Sequence, residues 1–166
     1  VPRALPPDAS AAFAALAARV GRAGAGDAAD EHWRWEVYSA AIEEPRTWEA
    51  LWEAVRVEPE LGTVVVPPML ERVPTTEHAH WLAALPEEQR DFAAARASDV
   101  ATLRALVGED ASAAARDVDA WSDWLQRRLA SDTGSASVLA VLEAHARTRR
   151  VRGLARERLA GKLTAM

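Results

Sequence analysis

The chain has no cysteine, which excludes disulfide bridges and thiolate zinc sites. It has no asparagine and one lysine, Lys162, while alanine and arginine abound. That balance reads as the codon usage of a GC-rich, bacterial genome, so arginine frequency alone is no sign of guanidinium chemistry. Long hydrophobic runs are missing too. No stretch approaches the roughly 20 apolar residues of a membrane helix. The opening VPRALPPDAS lacks the apolar centre of a signal peptide, so the cytoplasm is the expected compartment. No phosphate-binding loop, nucleophile elbow or dinucleotide fingerprint occurs. The net charge of −5 disfavours a nucleic-acid partner.

What is present is enough for one packed domain: 166 residues, 49% of them hydrophobic, with a mean hydropathy of −0.17. The pattern is helical throughout. In PRTWEALWEAVRVEPELGTVVVPPMLERV (45–73), Trp48, Leu51, Trp52 and Val55 recur at i, i+3, i+4, i+7 on one face, with Glu49, Glu53 and Arg56 opposite. Pro59 ends this helix, and Met69, Leu70 and Val73 continue the apolar pattern. TVVVPP (63–68) is ambiguous, because three valines favour a strand and Pro67–Pro68 disrupt a helix. A helix is favoured, since an isolated strand would have no partner.

Upstream, residues 1–9 read as an extended lead-in. Asp8 or Ser10 is expected to cap a helix carrying Phe13, Leu16 and Val20, which Gly21, Gly24 and Gly26 end. Asp27 or Asp30 opens the next helix, through Glu43. It is apolar on two faces, Trp33/Val37/Ala40/Ala41 and Trp35/Tyr38/Ile42, which predicts burial between neighbours. Downstream, a short helix holds Trp81, Leu82 and Leu85. A long one over 87–107 carries Phe92, Ala95, Val100, Leu103, Leu106 and Val107. Further helices span 113–130 (Val118, Trp121, Leu125, Leu129) and 137–146 (Val138, Val141, Leu142). Thr148 caps a last one with Val151, Leu154, Ala155 and Leu159 inward. Residues 161–166 are expected to fray.

Large apolar anchors recur. Phe13, Trp48, Trp81 and Trp121 lie 35, 33 and 40 residues apart, and Trp35, Leu70, Leu103 and Leu142 follow them by 21 or 22. Helical-hairpin repeats have periods of about 33–47 residues. With TRRVRGLARERL (148–159) as its most specific piece, the chain resembles HEAT and armadillo repeat proteins. The resemblance implies an all-α fold of about nine helices, stacked as antiparallel hairpins in a short α-solenoid over 10–160. It also implies a protein-binding surface, and it transfers no catalytic residue.

Candidate sites follow. The C-terminal segment sets six arginines and Lys162 against one acid, Glu157, giving it +6 and the rest of the chain −11. Arg149, Arg152 and Arg156 share an outward face and form a candidate partner-binding stripe, with Trp124 as a partly exposed aromatic. Arg96 and Asp99, one turn apart inside an apolar arc, are expected to form a structural ion pair, as the resemblance implies. His78 and His80 fall on nearly opposite helix sides and cannot share a metal, while His145 reads as a core histidine. No metal or cofactor is expected. The expected function is a non-enzymatic module binding a protein partner, as an adaptor, inhibitor or immunity-type protein. One alternative is a helical enzyme or ligand binder with a pocket near Trp35, Tyr38 and Arg96. The other is a nucleic-acid binder using the C-terminal arginines.

Overall fold

Prolines, glycines and polar caps cut this chain into short helices. The computed structural model describes residues 5–164. Among these, ten α-helices and three single-turn 3-10 segments occur, with no strand. The fold is all-α, with one helix more than the nine expected.

The helix α1 (Pro7–Arg19) starts without a side-chain cap, with proline in its first turn. It therefore begins inside the segment read as lead-in, of which residues 1–4 lie outside the described residues. Its end is a Schellman turn. Gly21 has φ +71°, and the amides of Gly21 and Arg22 bond the carbonyls of Ala18 and Ala17. The Asp30 carboxylate accepts from the His32 amide and starts α2 (Glu31–Glu43). A 3-10 turn, Pro45–Thr47, leads into α3 (Trp48–Val57). Another, Pro59–Leu61, leads into α4 (Gly62–Arg72). The favoured helix over TVVVPP is therefore found, with Pro67 and Pro68 inside α4. Burial of Val65, Val66, Met69 and Leu70 overrides the prolines and β-branches.

Thr75–Glu77 precedes α5 (His78–Ala83), which is followed by α6 (Glu87–Leu106). The single helix expected over 113–130 is two: α7 (Ala115–Ala120) and α8 (Asp123–Asp132). They break at Ser122, whose hydroxyl accepts from the Leu125 amide and restarts the helix. Ser135 caps α9 (Ala136–His145) in the same way. Thr148 caps α10 (Arg149–Thr164). Of the tail expected to fray, 161–164 is helical and 165–166 lies outside the described residues.

The chain divides inside α6 into two compact units, one ending at Ala97 and one starting at Ser98. Nothing in the anchor spacing marks this division. In the first unit Phe13, Leu16, Val37, Tyr38, Leu51, Val55, Val65, Met69, Leu70 and Trp81 form the core. There α1 packs chiefly on α3. In the second, Val118, Trp121, Leu125, Leu129, Val138, Leu139, Leu142, Val151 and Ala155 form the core, and α9 packs chiefly on α10. Among the eight anchors Trp48 is only half-buried and Trp35 is exposed. The apolar arc read along α6 is likewise incomplete, with Phe92 63% exposed.

Short helices leave many carbonyls without an amide partner, and side chains close them here. Thr47 Oγ1 donates to the Ala41 carbonyl and Trp48 Nε1 to that of Ile42, at the end of α2. His78 Nε2 meets the Leu70 carbonyl at 2.9 Å; the carbonyl only accepts, so this nitrogen carries a proton. Trp52 Nε1 donates to the His80 carbonyl, while its ring stacks on the His80 imidazole. In the second unit Thr133 Oγ1 donates to the Leu106 carbonyl and Gln126 Nε2 to those of Val118 and Trp121. Arg147 reaches the carbonyls of Asp119 and Trp121. Arg152 reaches those of Ala146 and Arg147, and Arg158 those of Ala130 and Thr133.

Arg158→Ala removes two donors from partly buried carbonyls and is expected to lower unfolding stability by about 1–3 kcal/mol in urea. Arg150→Ala, at an exposed position with no such bond, leaves the urea midpoint unchanged.

Candidate functional site

Two neighbouring sequence features build the most structured polar site of the first unit. On α2, Arg34 and Tyr38 are four residues apart and so share a face. After α3, Pro59 stops the helix and leaves Glu58 in a non-helical conformation, φ −128° and ψ 80°. From there the Glu58 carboxylate turns toward α2. One oxygen lies 3.3 Å from Arg34 Nη1, and the other accepts from the Tyr38 hydroxyl at 3.1 Å. The Arg34 and Glu58 side chains are only 14% and 12% exposed. Burial, then the adjacent Glu58 charge and the hydrogen bond to it, push the Tyr38 phenol well above its usual range; Arg34 opposes this. Tyr38 is therefore a protonated donor under ordinary conditions.

Two adjoining depressions open over this trio. One, of about 180 Å³, has Leu5, Pro6, Val57 and Pro59 as its apolar wall. The other, of about 190 Å³, is lined by Trp35, Tyr38 and Leu61. Glu31, Arg34, Glu58 and Glu60 line both. Trp35, expected to be buried with the rest of α2, is 45% exposed instead. The reason is that the Val37/Tyr38/Ala41/Ile42 face alone turns to the core. Trp35 and Tyr38 thus meet at one cleft, and Arg96 is not among its lining residues.

The residues singled out in the sequence take other roles. Arg149 is exposed. Arg152 closes carbonyls at the end of α9, and Arg156 Nε donates to Glu143 at 2.7 Å. The stripe is thus largely engaged within its own unit. Trp124 is half-buried, with Arg128 over its ring at 5.5 Å. Arg96 lies 3.9 Å from Glu71, and Asp99 accepts from the Ser122 hydroxyl at 2.6 Å, so each takes a separate partner. His145 is exposed, whereas His78 is the buried histidine. Among the described residues no group of three or more His, Asp or Glu side chains is placed to hold a metal.

Sequence reading missed Arg34 and Glu58. The available signals were the Arg34/Tyr38 spacing and the proline directly after Glu58.

The class of protein these features define is all-α, with a polar trio beneath a cleft. No protein-family model, curated protein or solved structure matches the chain.

Tyr38 is the chain's single tyrosine, so tyrosinate absorbance reports on it alone. A folded-state pKa raised above the unfolded value stabilises fully below about pH 10, and that stability is lost as pH rises further. Unfolding free energy is expected to fall by about 1.4 kcal/mol per pH unit above about pH 10. The contribution should vanish in Tyr38→Phe, and tyrosinate absorbance should appear together with unfolding.

Proposed function

We propose that this chain is a non-enzymatic protein-interaction module, of the adaptor, inhibitor or immunity type, built from paired helices of the HEAT and armadillo kind. The observation that carries this reading is the exposure of large apolar side chains on the first unit: Trp35 at 45%, Val64 at 45% and Phe92 at 63%. Scattered exposed apolar residues are ordinary on any protein. These three lie on three different helices of this unit, α2, α4 and α6. Aromatic side chains of this kind contribute most to protein interfaces.

Charge supports the same reading. Up to Ala97 the chain carries nine arginines against sixteen carboxylate residues, a balance that steers a basic partner toward it. The ligand-binding alternative is favoured by the cleft itself. Each depression, however, is smaller than the roughly 300–1,000 Å³ of small-molecule pockets, a size suited to one side chain. Against the nucleic-acid alternative, Arg152 donates to the carbonyls of Ala146 and Arg147 and Arg156 to the Glu143 carboxylate.

The test compares the intact protein with the Trp35→Ala/Phe92→Ala variant as bait in lysate of the source organism. Both changes are at exposed positions, so the helical circular dichroism should be retained. The intact bait is expected to enrich a protein at least about tenfold over the variant, as loss of hot-spot side chains implies. Identical capture by the two baits would contradict the proposal.

A further inference from the structure

We infer that the loop between α1 and α2 forms a further binding site, which takes a small neutral aromatic molecule of the phenol class beside Trp33. Glycine shapes this loop. Gly21 and Gly24 have φ of +71° and +70°, a conformation that L side chains rarely adopt. Gly26 lies directly against the indole: a Cβ there would fall 2.5 Å from Trp33 Cδ2 and 2.7 Å from Cε2 and Cγ. Any side chain at this position would push the ring away, so glycine lets the loop close on it.

The loop, α1 and the start of α2 enclose a depression of about 180 Å³. Phe13 and Trp33 give it aromatic surface, and the alanines and glycines around them leave it open. Ser10 and Arg22 are the only polar side chains among its described lining residues. A well-held water needs about two to four polar partners. Water is poorly held here, and an apolar group that displaces it gains affinity. An apolar cavity of about 150 Å³ admits benzene, so this space takes one ring and little more. Trp33 and Trp35, two residues apart, fall on nearly opposite sides of α2. The depression shares no lining residue with the cleft over Arg34, so the inference goes beyond the interaction reading.

Charge and ring chemistry then select the ligand. The Arg22 guanidinium stands over the Trp33 ring at 5.8 Å and donates to Glu36 at 2.8 Å. Glu36 also lies 3.4 Å from His32. An anionic ring would compete with Glu36 for the guanidinium, and a cationic ring would meet Arg22 at close range. A neutral ring meets neither cost. Beside Phe13 and Trp33 an aromatic ring gains edge and stacking contacts that a saturated ring of the same size lacks, and a guanidinium is drawn to ring faces. One hydroxyl on the ring would find the Ser10 hydroxyl and the remaining Arg22 N–H groups as partners.

The test follows the Trp33 indole N–H resonance of the full chain, assigned with Trp33→Phe, on addition of phenol, cyclohexanol and benzoate. Phenol is expected to shift it with saturable binding, on the order of millimolar. Cyclohexanol and benzoate are expected to bind about three- to tenfold more weakly. Ala14→Leu, at an exposed position lining the depression, extends a side chain into it. This variant should lose the phenol response while its circular dichroism stays helical. Ala94→Leu, the same change at an exposed position of α6, should bind phenol as the intact protein does. No saturable shift, equal binding of cyclohexanol or benzoate, an undiminished response in Ala14→Leu, or a lost one in Ala94→Leu would each overturn the inference.

Discussion

A helix that ends inside a folded unit must hand its last carbonyls to something other than its own amides. The described residues form ten helices, several of only six to eleven residues, so the requirement recurs often. An unpartnered buried carbonyl costs about 1–3 kcal/mol, and the sequence meets the demand with side-chain donors set in other elements. Thr47 and Trp48 serve α2, His78 serves α4, and Trp52 serves α5. Thr133 serves α6, Gln126 and Arg147 serve α7, Arg158 serves α8 and Arg152 serves α9. Each bond ties a helix to another segment of its own unit, so helix termination and tertiary packing become one event. The cores of Leu, Val and Trp supply the driving force; the donors fix where each helix stops.

That requirement also separates engaged groups from those left for binding. The arginines near the C-terminus look like a basic stripe on a helical wheel, yet Arg147, Arg152 and Arg158 are turned onto carbonyls and Arg156 onto Glu143. Trp48 and Trp52 are likewise held by their indole nitrogens. Trp35 has no such attachment among the described residues and remains at the surface beside a charged cleft. Arg34, Glu58 and Tyr38 satisfy one another below it. A phenol kept protonated by burial and by a carboxylate partner is suited to fixing geometry, and the cleft gains a rigid floor without a reactive group being assembled.

Much of the helix pattern was legible because Trp48, Leu51, Trp52 and Val55, or Val118, Trp121, Leu125 and Leu129, repeat with the helical period. Asp30, Thr148 and Gly21 mark ends by chemistry that is local in sequence, and those ends are found where expected. The break at Ser122 was not legible, because the apolar period runs through it unbroken. The exposure of Trp35 and Phe92 was not legible either. Periodicity tells which residues share a face; it does not tell which of two apolar faces meets the core. The donors on carbonyls were hidden for a related reason. Arg158 and Ala130, or Thr133 and Leu106, are more than twenty residues apart, and no local rule connects them. Arg96 and Asp99 illustrate the converse: one turn of helix suggested a pair, while Glu71 and Ser122 offered each side chain its own contact.

The claim that side-chain donors on helix carbonyls set this architecture is tested most directly by equilibrium urea unfolding of Thr133→Val. Thr133 is fully buried; its hydroxyl donates to the Leu106 carbonyl at 2.6 Å and accepts from the Ser135 amide. Valine keeps the shape, adds apolar character and removes both bonds. A loss of about 1–3 kcal/mol is the expected result. Unchanged or increased stability would show that apolar burial alone holds the second unit together, and would contradict the account.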